Sequence, residues 1–247
     1  MMIDLTDIDP IFARESEKQL NNLLVKYPMI RKQIKWVSSF ARRNKAFLSW
    51  KIEEQVRLAL TDLKNKNRDR PVGFTDDCVN QLRSETTLKW VGLYDYKDRW
   101  AQSMDFTWGP QQGIAFNEKL NHKHIKRVQE QSVIEGFHAR GNKEINSIVT
   151  HEFAHHMYRW LLNHELFNET IGIFWNETTR KVNRIDTKKD QNRFWKEKIS
   201  LYAGRNIEEF FAECFTEYIH NPKCRELARQ VGENLDSIMA THGLSEK

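Results

Sequence analysis

The segment HEFAHH places His151 and His155 four residues apart, with Glu152 directly after the first histidine. On an α-helix, side chains at i and i+4 lie on one face, so two imidazoles at that spacing can converge on a single cation. Glu152 stands to the side of that pair, placed to reach a metal-activated water rather than the metal itself. The chemistry this predicts is metal-assisted hydrolysis, with Glu152 as general base. In a chain of 247 residues the bare H-E-x-x-H pattern arises by chance with a probability of order a few per cent, so the motif needs support from elsewhere. A catalytic zinc site also requires a third protein ligand and an open position for water. The residues just after His155 do not supply that ligand, because Tyr158 and Leu161 stand where a glycine and a third histidine would follow.

A second segment must therefore contribute. Asn206 to His220, NIEEFFAECFTEYIH, carries Glu209, Glu213 and Glu217 at intervals of four, with Phe211, Cys214, Phe215 and Tyr218 on the opposite stripe. As a helix it would turn the acids away from the core face, offering a ligand from one turn and an acceptor for a histidine's second ring nitrogen from the next. Helix chemistry also explains the same residues without a metal. Glu209 follows Asn206 by three, the place of a capping-box glutamate, and acids in a first turn suit the helix dipole. Spacing alone leaves open which of the three acids, if any, is a ligand.

The stretch SLYAGRNIEEFFAECF, Ser200 to Phe215, taken with HEFAH, resembles the catalytic domain of anthrax lethal factor and related gluzincin peptidases. It is also similar to small lethal-factor-like metallopeptidase domains encoded by tailed phages and prophages. The likeness covers Ile148 to Phe215; the N-terminal part has no such counterpart. Position by position, the resemblance implies that His151, His155 and Glu209 are zinc ligands and that Glu152 is the base. It makes Tyr202 a hydroxyl donor near the reacting carbonyl, and Glu213 a carboxylate behind the ligands. Ala154 replaces the family's usual glycine, and the segment between the motifs is long and polar.

The elements that must hold these residues can be read from pattern. NKEINSIVTHEFAHHMYRWLL predicts a helix capped by Asn142, with Glu144 near its positive end and Ile145, Val149, Phe153 and Trp160 toward the core. Apolar residues at helical spacing up to about Lys66 predict a helical N-terminal region, residues 1–70. The polar NKNRDRPV, Asn65 to Val72, marks the boundary with a catalytic domain, residues 71–247. Between Thr87 and Asn117, LKWVGLYDY, SMDFTW and GIAFN read as short strands of a small mixed or antiparallel sheet. GIAFN is expected as the sheet edge that receives an extended peptide beside the active helix. Thr178 to Asn192 reads as a polar insert. The fold class expected is α+β, a zincin-like domain preceded by helices.

Charge and cysteine content narrow the setting. The net charge is +5, unevenly spread: Arg31, Lys32, Lys35, Arg42, Arg43 and Lys45 lie close together with no acid among them. Such a run could meet nucleic acid, but a single basic helix is more often a solvated face. Three cysteines, Cys78, Cys214 and Cys224, lack C-x-x-C spacing, which speaks against a cysteine zinc site or a disulfide scaffold. No signal-like start and no membrane-spanning stretch is read, so a cytoplasmic protein of the host cell is expected, with packaging in a virion admitted by the phage resemblance. The partners expected are a protein or peptide substrate and Zn2+. The competing function is a phage virion-associated structural protein that keeps the zinc fold without turnover. The remaining histidines, His122, His124, His138, His156, His164, His220 and His242, show no ligand spacing and read as packed or surface residues.

Overall fold

The computed structural model describes residues 1–65, 80–81, 84, 101–104, 112–119 and 121–242. It is mostly helical around one small sheet, an α+β arrangement. Strands β1 (Met2–Asp4), β2 (Trp36–Ser39), β3 (Ala101–Met104) and β4 (Gly113–Phe116) are ordered β1-β2-β4-β3. The sheet is mixed: β1, β2 and β4 run parallel, whereas β3 lies antiparallel to β4 with Ala101 opposite Phe116.

GIAFN does form a strand, but β4 lies between β2 and β3 and is not an edge. All four of its residues are buried, as expected for a short apolar run covered on both faces. Its first residue has to be glycine here, since a Cβ on Gly113 would sit 1.9 Å from the Trp36 carbonyl oxygen. Among the described residues the edge on that side is β3, which packs beside the HEFAHH helix. Of SMDFTW only Ser103 and Met104 are described, and both fall in β3; LKWVGLYDY lies outside the described residues.

The N-terminal region is not wholly helical, as the periodicity suggests. It supplies β1 and β2 to the common sheet, because the short β-branched and aromatic run around Trp36 and Val37 is buried against β4. Helix α1 (Pro10–Lys26) is capped by Asp9, whose carboxylate accepts from the Ile11 and Phe12 amides, and Pro10 occupies its first turn. Its buried face of Phe12, Leu20, Leu23 and Leu24 contributes roughly 1.5–3 kcal/mol per side chain and packs on the HEFAHH helix. Those residues share one hydrophobic cluster with Phe153, Phe211, Phe215 and Met239. Apart from Asn65, the boundary segment to Val72 lies outside the described residues.

Helix α2 spans Phe40–Asn65 and α3 His122–Ile134. The central pair is α4 (Ser147–Asn163), which carries HEFAHH, and α7 (Ile207–His220). Phe153 of α4 stacks on Phe215 of α7 at 6.2 Å between centroids, and Tyr27 closes over Phe215 at 5.6 Å. The polar stretch Thr178 to Asn192 is largely helical, divided between α5 (Ile173–Val182) and α6 (Lys188–Lys198). Both helices are anchored by aromatic residues just outside that stretch: Trp175 of α5 stacks on Trp195 of α6 at 5.9 Å. Helix α8 (Glu226–Thr241) packs behind α7.

The basic run from Arg31 to Lys45 does not make one helical face. It is split among a 3-10 turn, β2 and the start of α2; Arg42 pairs with Asp4 and Asp7, and Arg43 is buried over the Phe40 ring. Among the described residues, no helix is long and apolar enough to cross a membrane.

Candidate metal centre

Two helices and two tight segments assemble the centre. Helix α4 begins at Ser147 with Asn146 in the capping position, four residues later than its sequence suggests, because Asn142 belongs to a 3-10 turn (Arg140–Lys143) and turns its side chain inward. His151, Glu152 and His155 all lie on α4. Opposite them, Asn206 caps α7 by accepting from the Glu209 amide at 2.9 Å. That cap is made through the Glu209 backbone, leaving its carboxylate to face the histidines.

Glu209 Oε2 stands 3.0 Å from His151 Nε2 and 3.7 Å from His155 Nε2. Ligand atoms of His151, His155 and Glu209 all lie within 4.8 Å of one another, so this buried to half-buried group could hold a metal ion. Two imidazole nitrogens and one carboxylate oxygen form a borderline donor set that suits a first-row transition metal or zinc. The other ring nitrogens also face carboxylates: His151 Nδ1 is 3.3 Å from Glu213 Oε1, and His155 Nδ1 is 3.3 Å from Glu208 Oε1. An acceptor behind each imidazole is the arrangement that fixes a ligating histidine's tautomer and ring orientation.

Glu213 is fully buried, so each of its lone pairs needs a partner. Oε1 accepts from His138 Nδ1 at 3.0 Å and Asn142 Nδ2 at 3.1 Å, while Oε2 accepts from the Ala139 amide at 2.5 Å and Ser200 Oγ at 2.8 Å. The turn that brings these donors up depends on Gly141, where a Cβ would approach the Thr216 carbonyl oxygen to 2.5 Å. Glu217, one turn further, is equally buried and is held by Arg225 and the amides of Arg140 and Arg225. The acids at 213 and 217 thus point into the molecule and not away from its core, because each has a full set of partners there.

Tyr202 is fixed by its backbone, which donates to the Phe137 carbonyl at 2.9 Å, and its ring centroid is 6.0 Å from that of His151. His138 packs on it at 4.8 Å and the Arg205 guanidinium lies 4.4 Å over its ring. Burial, reinforced by the Glu209 charge, pushes the Tyr202 phenol up to about 12, so it is a hydroxyl donor near neutral pH.

The charges show what the centre prefers. Burial works against a charged His151, yet Glu209, Glu213 and Glu152 outweigh it and raise the imidazole to about 10. Burial likewise opposes ionisation of Glu213 and Glu209, but facing histidines hold both below the usual carboxylate range. Glu208 is lowered chiefly by the imidazole of His155 beside it. Two buried and two partly buried carboxylates around two imidazoles make a pocket that favours positive charge.

All six residues that sequence singles out, His151, Glu152, His155, Tyr202, Glu209 and Glu213, fall in or beside this centre. The sequence gives no site role to Glu208, His138 or Ser200, and suggests Asn142 only as a helix cap. Glu208 had a signal in its place next to Glu209; His138 and Asn142 had none, since their roles depend on a turn that meets α7 from 70 or more residues away. His156 is a packing residue as expected, donating to the Gly113 carbonyl at 3.1 Å and tying α4 to β4. No protein-family model, curated protein or solved structure matches this chain.

Proposed function

We propose that this protein is a zinc-dependent endopeptidase of the gluzincin kind, with a zincin-like fold, in which His151, His155 and Glu209 hold the metal. The observation that carries this reading is the convergence of those three side chains from α4 and α7, with Glu152 buried on the same turn of α4. Zinc held there would polarise a peptide carbonyl and lower the pKa of a water from that of bulk to about 7.

The chain's own residues supply the rest. Glu152, interacting electrostatically with both His151 and Tyr202, takes the proton of the attacking water and returns it to the leaving amine. Tyr202 keeps its proton at neutral pH and donates to the carbonyl oxygen as negative charge develops. Glu213 and the donors around it keep His151 from rotating, so the ligand is in place before substrate arrives. The substrate runs as an extended strand along β3, the described edge beside α4. A buried base next to the metal ligands separates this reading from a structural zinc centre, which has no use for one.

The test compares zinc-loaded wild type with Glu152→Gln on a mixed proteome, counting new peptide N-termini. Wild type should generate them, and the variant should do so about 10²–10⁴ times more slowly while binding zinc equally well. Equal numbers from both proteins, or none from either, would remove the peptidase reading.

A further inference from the structure

Glu209 faces both histidines, but the two imidazoles are not backed in the same way. Behind His151 stands Glu213, one turn along α7, fully buried and fixed by four donors besides His151. Behind His155 stands Glu208, the residue just before Glu209, about one-third exposed and at the rim of the centre. Its Oε1 is 3.3 Å from His155 Nδ1 and accepts from Arg159 Nη2 at 3.2 Å. Arg159 lies one turn beyond His155 on α4, so a single rim pair spans α4 and α7.

His155 Nδ1 is itself buried and makes no aligned hydrogen bond among the described residues. A histidine that ligates through Nε2 carries its proton on Nδ1, and that N–H needs an acceptor. The Glu208 carboxylate is the acceptor within reach, lacking only alignment. We propose that Glu208, steadied by Arg159, is a positioning residue that accepts the Nδ1 proton of His155 and holds its Nε2 toward the metal. Where His151 has a rigid buried carboxylate, His155 has a rim carboxylate anchored by one arginine. This rests on the metal-centre reading above and on none of the peptidase chemistry.

The experiment measures zinc affinity of the full chain by competition with a chromogenic chelator. Glu208→Met keeps length and helix propensity but cannot accept a hydrogen bond, and it should bind zinc about 10- to 100-fold more weakly than wild type. Glu208→Gln still offers a carbonyl oxygen and should stay within a few-fold of wild type, which separates orientation from simple attraction between a charge and the metal. Glu226→Ala removes an exposed first-turn acid from α8 and controls for the helix dipole; it should leave affinity unchanged. If Glu208→Met does not fold, Glu208→Ala takes its place with the same expectation. Affinity of either apolar variant within threefold of wild type overturns the proposal, as does a loss in Glu208→Gln as large as in Glu208→Met. Should His155→Ala also bind zinc like wild type, the metal reading itself falls; if it loses zinc while Glu208→Met does not, only the role of Glu208 falls.

Discussion

The two ends of one acidic stripe on α7 meet opposite fates. Glu217 at one end is fully buried, and its partners are complete within the chain: the Arg225 guanidinium and two backbone amides satisfy both carboxylate oxygens. Glu209 at the other end is half-buried and faces two imidazoles, donors whose charge depends on pH and which can equally serve as ligands. Between them, Glu213 has a closed set of donors like Glu217 but includes His151 among its neighbours. Residue type and helical spacing are the same throughout. Glu217 is answered by a guanidinium and backbone amides that close its carboxylate off, whereas Glu209 is answered by two imidazoles that can serve as ligands beside it.

The largest effects should therefore appear in different measurements at the two ends. Glu217→Ala leaves the largely covered Arg225 guanidinium without its carboxylate and should cost about 3–5 kcal/mol in urea unfolding of the metal-free protein. Glu209→Ala should cost less there, about 1–3 kcal/mol for the lost charge-assisted hydrogen bond, yet remove most zinc affinity. Equal destabilisation by both variants, or retention of zinc by Glu209→Ala, would erase the distinction. Tyr202→Phe probes the open end without touching a ligand. It should slow peptide hydrolysis by about 10²–10³, equivalent to roughly 2.7–4 kcal/mol, with zinc affinity unchanged. A loss of zinc in that variant would instead make Tyr202 a support for His151, against which its ring packs.

How far sequence could see follows the same division. The ligand end was legible because helical pitch alone places His151 near His155, and because Asn206 fixes where α7 starts. Its link to Glu209 needed the resemblance, since nothing local brings α4 to α7; the contact is made by Phe153 against Phe215 and Tyr27 deep in the core. At the closed end spacing alone turns Glu213 and Glu217 away from the core, and only the resemblance puts Glu213 behind the ligands. Acids at four-residue intervals look solvated unless the donors that bury them are known, and these come from the 138–142 turn, Ser200 and Arg225. Position in the sheet was equally hidden. The pattern GIAFN identifies a strand, but only the pairing of β2 from the N-terminal region puts it inside the sheet and moves the edge to β3.

The smallest effect per unit, and the most direct readout of the open end, is in pH. His151 titrates near the ordinary 6.5 when unfolded and about 10 in the metal-free fold, so its contribution is complete below 6.5 and declines as pH rises toward 10. Glu213, lowered from an ordinary 4.5, contributes fully above that value and loses its contribution on acidification. From these two groups the metal-free chain should be most stable between about pH 4.5 and 6.5 and weaken on either side, by at most about 1.4 kcal/mol per pH unit for each group. Zinc reverses the alkaline limb, because metal needs His151 neutral and binds more tightly as its proton leaves. The melting-temperature gap between zinc-loaded and metal-free protein should therefore widen from pH 6.5 to 9. A gap that stays flat across that range would mean that His151 is not exchanging its proton for a metal.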